Sequence, residues 1–115
     1  MNSPSETGSD AMVVLTTAGS EDQARNMAQA LLQRHLAACI NVLPGMASFY
    51  RWEGEIRDNQ EILLLIKTTR RHFEQVRATI RELHTYELPE VLALPVDRGD
   101  PEFLAWLTAC VQPPP

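Results

Sequence analysis

The stretch LHTYELPEV, from Leu83 to Val91, places a histidine, a tyrosine and two glutamates around a proline. Imidazole and carboxylate groups are common ligands of divalent metals. The same residue types also occur in ordinary loops that leave a helix for a strand. We expect this loop to be primarily an interface and cleft element and only secondarily a metal site, because Pro89 forces a sharp turn that can aim Tyr86 and Glu90 towards one place.

A second group of candidate residues combines aromatic rings with polar atoms. It consists of Tyr50, Trp52, Lys67, Tyr86 and Glu90. Lys67 ends an apolar run and needs a counter-charge, for which Glu90 is the candidate. Two interpretations stay open at this point. The group is either a structural network that locks subunit contacts or a ligand cleft between subunits, since pockets favour interfaces with a few convergent polar groups.

Several classes of function find no support in the 115 residues. No serine or cysteine has the surroundings of a catalytic nucleophile, so we expect a protein that is not an enzyme. The net charge of -5 repels phosphate, which argues against nucleic-acid binding. No apolar run approaches the length of a membrane span, and the polar, acidic N-terminal stretch is the reverse of the pattern expected of a signal peptide. Two widely spaced cysteines are typical of a reduced, cytoplasmic chain.

Hydrophobic periodicity predicts the order β-α-β-β-α-β followed by a further helix. The predicted strands lie at 12–17, at 39–52 with a break at Pro44–Gly45, at 61–69 in an apolar run, and at 91–96, and a hairpin turn is expected at Gly54. The predicted helices run from the Ser20 cap to about Ala37, from a cap at Thr69, and from Asp100–Pro101. In the last helix Phe103, Leu104, Leu107 and Val111 are expected to face inward. The prediction is one domain at 11–111, between a flexible leader at 1–10 and a flexible tail at 112–115.

This order is that of an α+β, ferredoxin-like fold, an antiparallel sheet with helices on one face. The first and third strands are then central, and the second and fourth are edges. The other face of the sheet and the edge strands need a cover that this chain does not supply, so self-association is expected.

The residues resemble a known family, the CutA-type divalent-cation tolerance proteins. The resemblance runs from Met12 to about Ala109 and rests on the segments VVLTTA, LAACINVLPGMASFYRWEGEI, ILLLIKTT, TYELPEVLALPV and GDPEFLAWL. It implies a ferredoxin-like protomer in a compact homotrimer similar in shape to the PII signalling proteins. It also implies a link to divalent-metal tolerance and to copper binding.

The resemblance implies a copper site that this chain carries only in part. The family's pattern has a cysteine in the first strand and two adjacent histidines at the end of the second helix. Thr16 and Leu83 stand at two of those positions, and only His84 remains. We therefore expect copper or another divalent cation to bind weakly, or His84 to serve only the end of its helix.

The resulting prediction is a cytoplasmic, homotrimeric divalent-metal tolerance or response protein that binds its ligand and does not catalyse a reaction. Two alternatives remain. One is a PII-like sensor module that binds a small organic anion in an intersubunit cleft, and the other is a trimeric scaffold for another protein.

Overall fold

The computed structural model describes residues 9–112 and has the predicted ferredoxin-like α+β fold. The elements are β1 (Ala11–Ala18), α1 (Glu21–Gln33), β2 (Cys39–Trp52), β3 (Glu55–Thr69), a 3-10 turn (Arg70–His72), α2 (Phe73–Leu83), β4 (Leu92–Pro95) and α3 (Pro101–Cys110). The strands form one antiparallel sheet in the order β2-β3-β1-β4, so the first and third are central as predicted.

The predicted leader and tail fall mostly outside the described residues, which exclude 1–8 and 113–115. Two residues of the expected leader are held by the fold. The Ser9 hydroxyl donates to the Val96 carbonyl at 2.6 Å, and the Asp10 carbonyl accepts from the Arg70 amide at 2.9 Å. No helix within residues 9–112 is long and apolar enough to cross a bilayer.

Helix α1 begins where the sequence predicts and ends earlier. The Ser20 hydroxyl caps its start by accepting from the Gln23 amide at 3.2 Å. Its last residue is Gln33, so the expected end near Ala37 is wrong. The chain leaves the helix because His35 adopts φ 57°, and the amides of His35 and Leu36 donate to carbonyls of the preceding turn at 3.1 and 2.9 Å. This pattern is a Schellman motif, and it directs Leu36 into the core.

The long β2–β3 hairpin contains the two irregularities that proline and glycine predict. Pairing shifts register between Leu43 and Met46, where Gly45 has φ 80°. This is a β-bulge, which allows a proline in an edge strand. At the tip, Glu53 and Gly54 have φ values of 51° and 81°, the two left-handed residues of a type I′ turn.

The last two helices follow the predicted pattern with two corrections. Thr69 does not cap α2, because its hydroxyl bonds to Nδ1 of His72 at 2.7 Å within a preceding 3-10 turn. Helix α3 starts as expected, with the Asp100 carboxylate accepting from the Phe103 amide at 3.0 Å. However, the Phe103 side chain is not inward, since it is 45% exposed and contacts Trp106.

One face of the sheet carries the hydrophobic core. Alternate side chains of the central strands, including Val14, Leu64 and Ile66, are fully buried. They pack with Met27 and Leu31 of α1 and with buried residues of α2. The strand period of two sends the remaining residues to the opposite side.

That opposite side, the open sheet face, is apolar and is not covered by α1 or α2. Its members are Val13, Leu15, Leu43, Leu63, Leu65, Leu92 and Leu94. Three of them, Leu43, Leu92 and Leu94, are 43%, 56% and 51% exposed. A contiguous apolar surface of this kind is typical of an interaction site.

Candidate functional site

A cleft of about 670 Å³ lies where the β2–β3 hairpin meets the loop after α2. Four of the five predicted cleft residues line it: Tyr50, Trp52, Tyr86 and Glu90. The other lining residues are Thr17, Ser48, Phe49, Arg57, Asn59, Glu61, Glu87, Leu88 and Pro89. The hairpin is long enough to face the loop because β2 and β3 extend beyond the end of β1, which pairs with β3 only as far as Ile62.

The best-defined polar contact of the cleft joins Tyr86 and Glu61. The Tyr86 hydroxyl donates to Oε2 of Glu61 at 2.8 Å. Glu61 is only 9% exposed. Burial, the hydrogen bond to Glu61 and the charge of Glu61 together raise the pKa of Tyr86 to about 12. The phenol therefore keeps its proton to a higher pH than an ordinary tyrosine and can donate to the Glu61 carboxylate.

His84 uses both ring nitrogens within the fold. Nδ1 lies 3.0 Å from the Tyr86 amide N–H, so it must accept, and Nε2 lies 2.5 Å from the Thr17 carbonyl, so it must donate. This pair of bonds is satisfied by the neutral tautomer with hydrogen on Nε2. No lone pair is left for a metal, and His84 instead ties the loop to β1. The prediction of His84 as a metal ligand is not supported by this geometry.

The two positions that would complete a copper site face the hydrophobic core and not the cleft. Thr16 is fully buried, and its hydroxyl has no hydrogen-bond partner among the described residues. Leu83 packs against the core cluster. Within residues 9–112, no three His, Cys, Asp or Glu side chains are grouped so that they could hold a metal ion.

Lys67 is the one predicted cleft residue that lies elsewhere in the protomer. Its ammonium group donates to the Asn41 side chain and lies 3.9 Å from the Cys39 sulfur. Lys67 is six residues from Glu61 along β3, which is about 20 Å in a strand. The expected pairing of Lys67 with Glu90 is not among the ion pairs within residues 9–112 of a single chain.

The sequence-based prediction missed the residue that organises the cleft, Glu61. The available signal was an acidic residue directly before the apolar run ILLLI, inside a strand. With Glu87 and Glu90, it gives the cleft three carboxylates against one guanidinium, that of Arg57. Asn59 was also missed, and its amide donates to the Tyr50 hydroxyl at 2.6 Å.

The cleft and the open sheet face lie on the same side of the sheet. Glu61, Leu63, Leu65 and Lys67 alternate along β3 with the buried core residues. Side chains two residues apart in a strand point to one face. The cleft is therefore continuous with the open sheet face.

Comparison with known proteins identifies relatives over nearly the whole chain. Residues 12–110 match the family model described as CutA1 divalent ion tolerance protein. The divalent-cation tolerance protein CutA of Thermus thermophilus is 48% identical over 95 residues, which cover 83% of this chain and 92% of the relative.

Solved structures give the same result. The structure of the divalent cation tolerance protein Cut A1 from Thermus thermophilus superposes with a TM-score of 0.85 at 46% identity and covers 86% of this chain and 96% of that one. A structure named the periplasmic divalent cation tolerance protein CutA from Archaeoglobus fulgidus has a TM-score of 0.86 at 36% identity, with 89% and 99% coverage. The chain belongs to the CutA1 divalent ion tolerance family.

Proposed function

We propose that this protein is a homotrimer that serves divalent-cation tolerance by binding a cation in an acidic cleft between subunits, without catalysis. The observation that carries the proposal is the continuity of the open sheet face with the cleft. Apolar residues such as Leu65 and polar residues such as Glu61 share one side of β3. A partner that covers the leucines would border the cleft at the same time.

The assembly follows from the cost of leaving the open sheet face in water. Burial of apolar surface contributes about 25 cal/mol per Å², and three leucines of this face are roughly half exposed in one chain. A closed ring of identical chains covers such a face without leaving an open edge. We propose three copies and not another number because the chain resembles a family with a PII-like trimeric assembly.

Binding of a metal would depend on oxygen ligands. Glu87 and Glu90 are exposed in the cleft, and carboxylates suit hard divalent ions. Copper favours imidazole and thiolate, and His84 has no free nitrogen. Two exposed carboxylates hold a divalent ion weakly, so the proposed copper binding is weak.

Calorimetric titration of copper into the protein tests this assignment. Glu90→Gln removes a carboxylate of the cleft and should weaken the binding, whereas His84→Ala should leave the affinity within about twofold, because its ring supplies no ligand. Glu102→Gln, on the exposed first turn of α3, is the matched control. Abolition of copper binding by His84→Ala, with Glu90→Gln at wild-type affinity, would contradict the proposal.

The alternative of a small organic anion in the cleft has less support. Three carboxylates and one guanidinium line the cleft, and their net charge repels an anion. We place the protein in the cytoplasm, as its two free cysteines suggest. Detection of the protein in a periplasmic fraction, the location named for the Archaeoglobus fulgidus relative, would contradict that placement.

A further inference from the structure

We propose that the cleft binds an organic cation through a primary ammonium or guanidinium group, with the Glu61 carboxylate as its anchor. The inference rests on the proposed function only in treating the cleft as a cation site. It names a ligand class other than a metal ion and assigns the central contact to a residue buried at the base of the hairpin.

Glu61 is a buried carboxylate without a cationic partner. It is 9% exposed and lines the cleft. One oxygen accepts from the Tyr86 hydroxyl at 2.8 Å. The salt bridges within residues 9–112 involve other side chains and do not include Glu61. Carboxylates are rarely buried unless they are paired, so the second oxygen of Glu61 marks a place for a hydrogen-bonding cation.

Aromatic rings supply the second half of such a site. Tyr50, Trp52 and Tyr86 all line the same cleft as Glu61. The face of an aromatic ring attracts an ammonium or guanidinium group, and the attraction grows when the site is desolvated. The hydrogen bond from Asn59 to the Tyr50 hydroxyl holds that ring in place before a ligand arrives.

At Glu61 this combination fits an organic cation better than a tightly bound metal ion or an anion. A divalent metal needs several convergent ligands, and no such group of three side chains occurs in residues 9–112. An anion would meet Glu61, Glu87 and Glu90 with only Arg57 in its favour. An ammonium or guanidinium group can hydrogen bond to one carboxylate and contact aromatic faces at once.

Two sources of the cationic group are compatible with this chemistry. One is a free small amine, for which a cleft of about 670 Å³ provides room. The other is Lys67 of a second copy of the chain, because Lys67 lies on the side of β3 that also carries Glu61. The shared chemistry is a cationic nitrogen group at Glu61.

Titration of the full chain with agmatine, which carries both an ammonium and a guanidinium group, tests the proposal. The readout is the indole N–H resonance of Trp52 in the NMR spectrum. Glu61→Gln should weaken binding by at least about tenfold, because the ligand loses a charged hydrogen bond. Glu21→Gln, an exposed carboxylate at the start of α1, is the matched control and should not change the affinity.

A Lys67→Met variant distinguishes the two sources. Saturable agmatine binding to the wild type that Lys67→Met leaves unchanged would support a free amine. Binding that appears only in Lys67→Met, and that disappears when Glu61→Gln is added, would support a lysine from a second copy.

Two results would overturn the proposal. One is the absence of binding in both the wild type and Lys67→Met, and the other is wild-type affinity in Glu61→Gln. Glu61, Tyr86 and the hairpin aromatics belong to one chain, so a free amine can bind whether or not the trimer forms or copper binds. Only the outcome that assigns the cation to Lys67 requires a second copy.

Discussion

Replacement of Tyr86 by phenylalanine isolates the hydrogen bond that organises the cleft. The substitution keeps the ring, which lies 4.4 Å from that of His84, and removes only the hydroxyl that donates to Glu61 at 2.8 Å. A hydrogen bond to a charged group contributes about 1.5–3 kcal/mol. We therefore expect Tyr86→Phe to lower the free energy of unfolding by about that amount, as measured by urea denaturation at one fixed protein concentration.

The same substitution in a Glu61→Gln background provides the decisive comparison. The glutamine oxygen can still accept from Tyr86, but without charge, so the cost should fall to about 0.5–1.5 kcal/mol. Tyr50→Phe is the matched control, because its hydroxyl bonds to the neutral Asn59 amide and the residue is 38% exposed. Equal costs for Tyr86→Phe in both backgrounds, no larger than the cost of Tyr50→Phe, would refute the reasoning.

Three further expectations concern single side chains. The pKa of Tyr86 is raised from 10.0 to about 12 in the folded protein, so the unfolded chain loses this proton at a lower pH, and the free energy of unfolding should fall as the pH rises from 10 towards 12. A Tyr86→Phe variant whose free energy of unfolding falls equally over this pH range would contradict this expectation. Thr16→Val should raise the free energy of unfolding by roughly 1–2 kcal/mol, because the buried hydroxyl has no partner among the described residues. The control Thr68→Val should lower it, since that hydroxyl donates to a carbonyl at 2.6 Å, and a loss of stability in both would show that the Thr16 hydroxyl is satisfied. His35→Gly should stabilise by about 0.5–1 kcal/mol in thermal unfolding, because glycine adopts φ 57° without strain, whereas any destabilisation would count against the Schellman motif.

Most of the fold could be predicted because its signals are local. The Ser20 and Asp100 caps, the Pro44–Gly45 bulge and the Gly54 turn each require one backbone conformation, and each is found where the sequence places it. The end of α1 was predicted too late because the glycine or asparagine that usually follows a helix end is absent, and His35 adopts the left-handed conformation instead. Tertiary packing of Leu36 stabilises that turn, and periodicity alone does not report it.

The site was harder to predict because it depends on which residues the topology brings together. The loop residues Tyr86 and Glu90 could be paired with the hairpin aromatics on residue type alone. The distance between Lys67 and the cleft follows from their spacing along β3, which could have been applied once the strand was assigned. The role of Glu61 could not be inferred in the same way, since its hydrogen-bond partner Tyr86 lies 25 residues further along the chain.

The central claim is that the open sheet face joins copies of the chain and completes the cleft. Sedimentation equilibrium of the wild type at micromolar concentration tests it most directly. The expected mass is three times the chain mass of 12.9 kDa. Leu65→Glu, in the middle of the open sheet face, should reduce that mass, while Leu32→Glu, at an equally apolar residue that is 42% exposed on α1, should not. A wild-type protein that sediments at the mass of one chain, or a Leu65→Glu variant that stays trimeric, would contradict the claim.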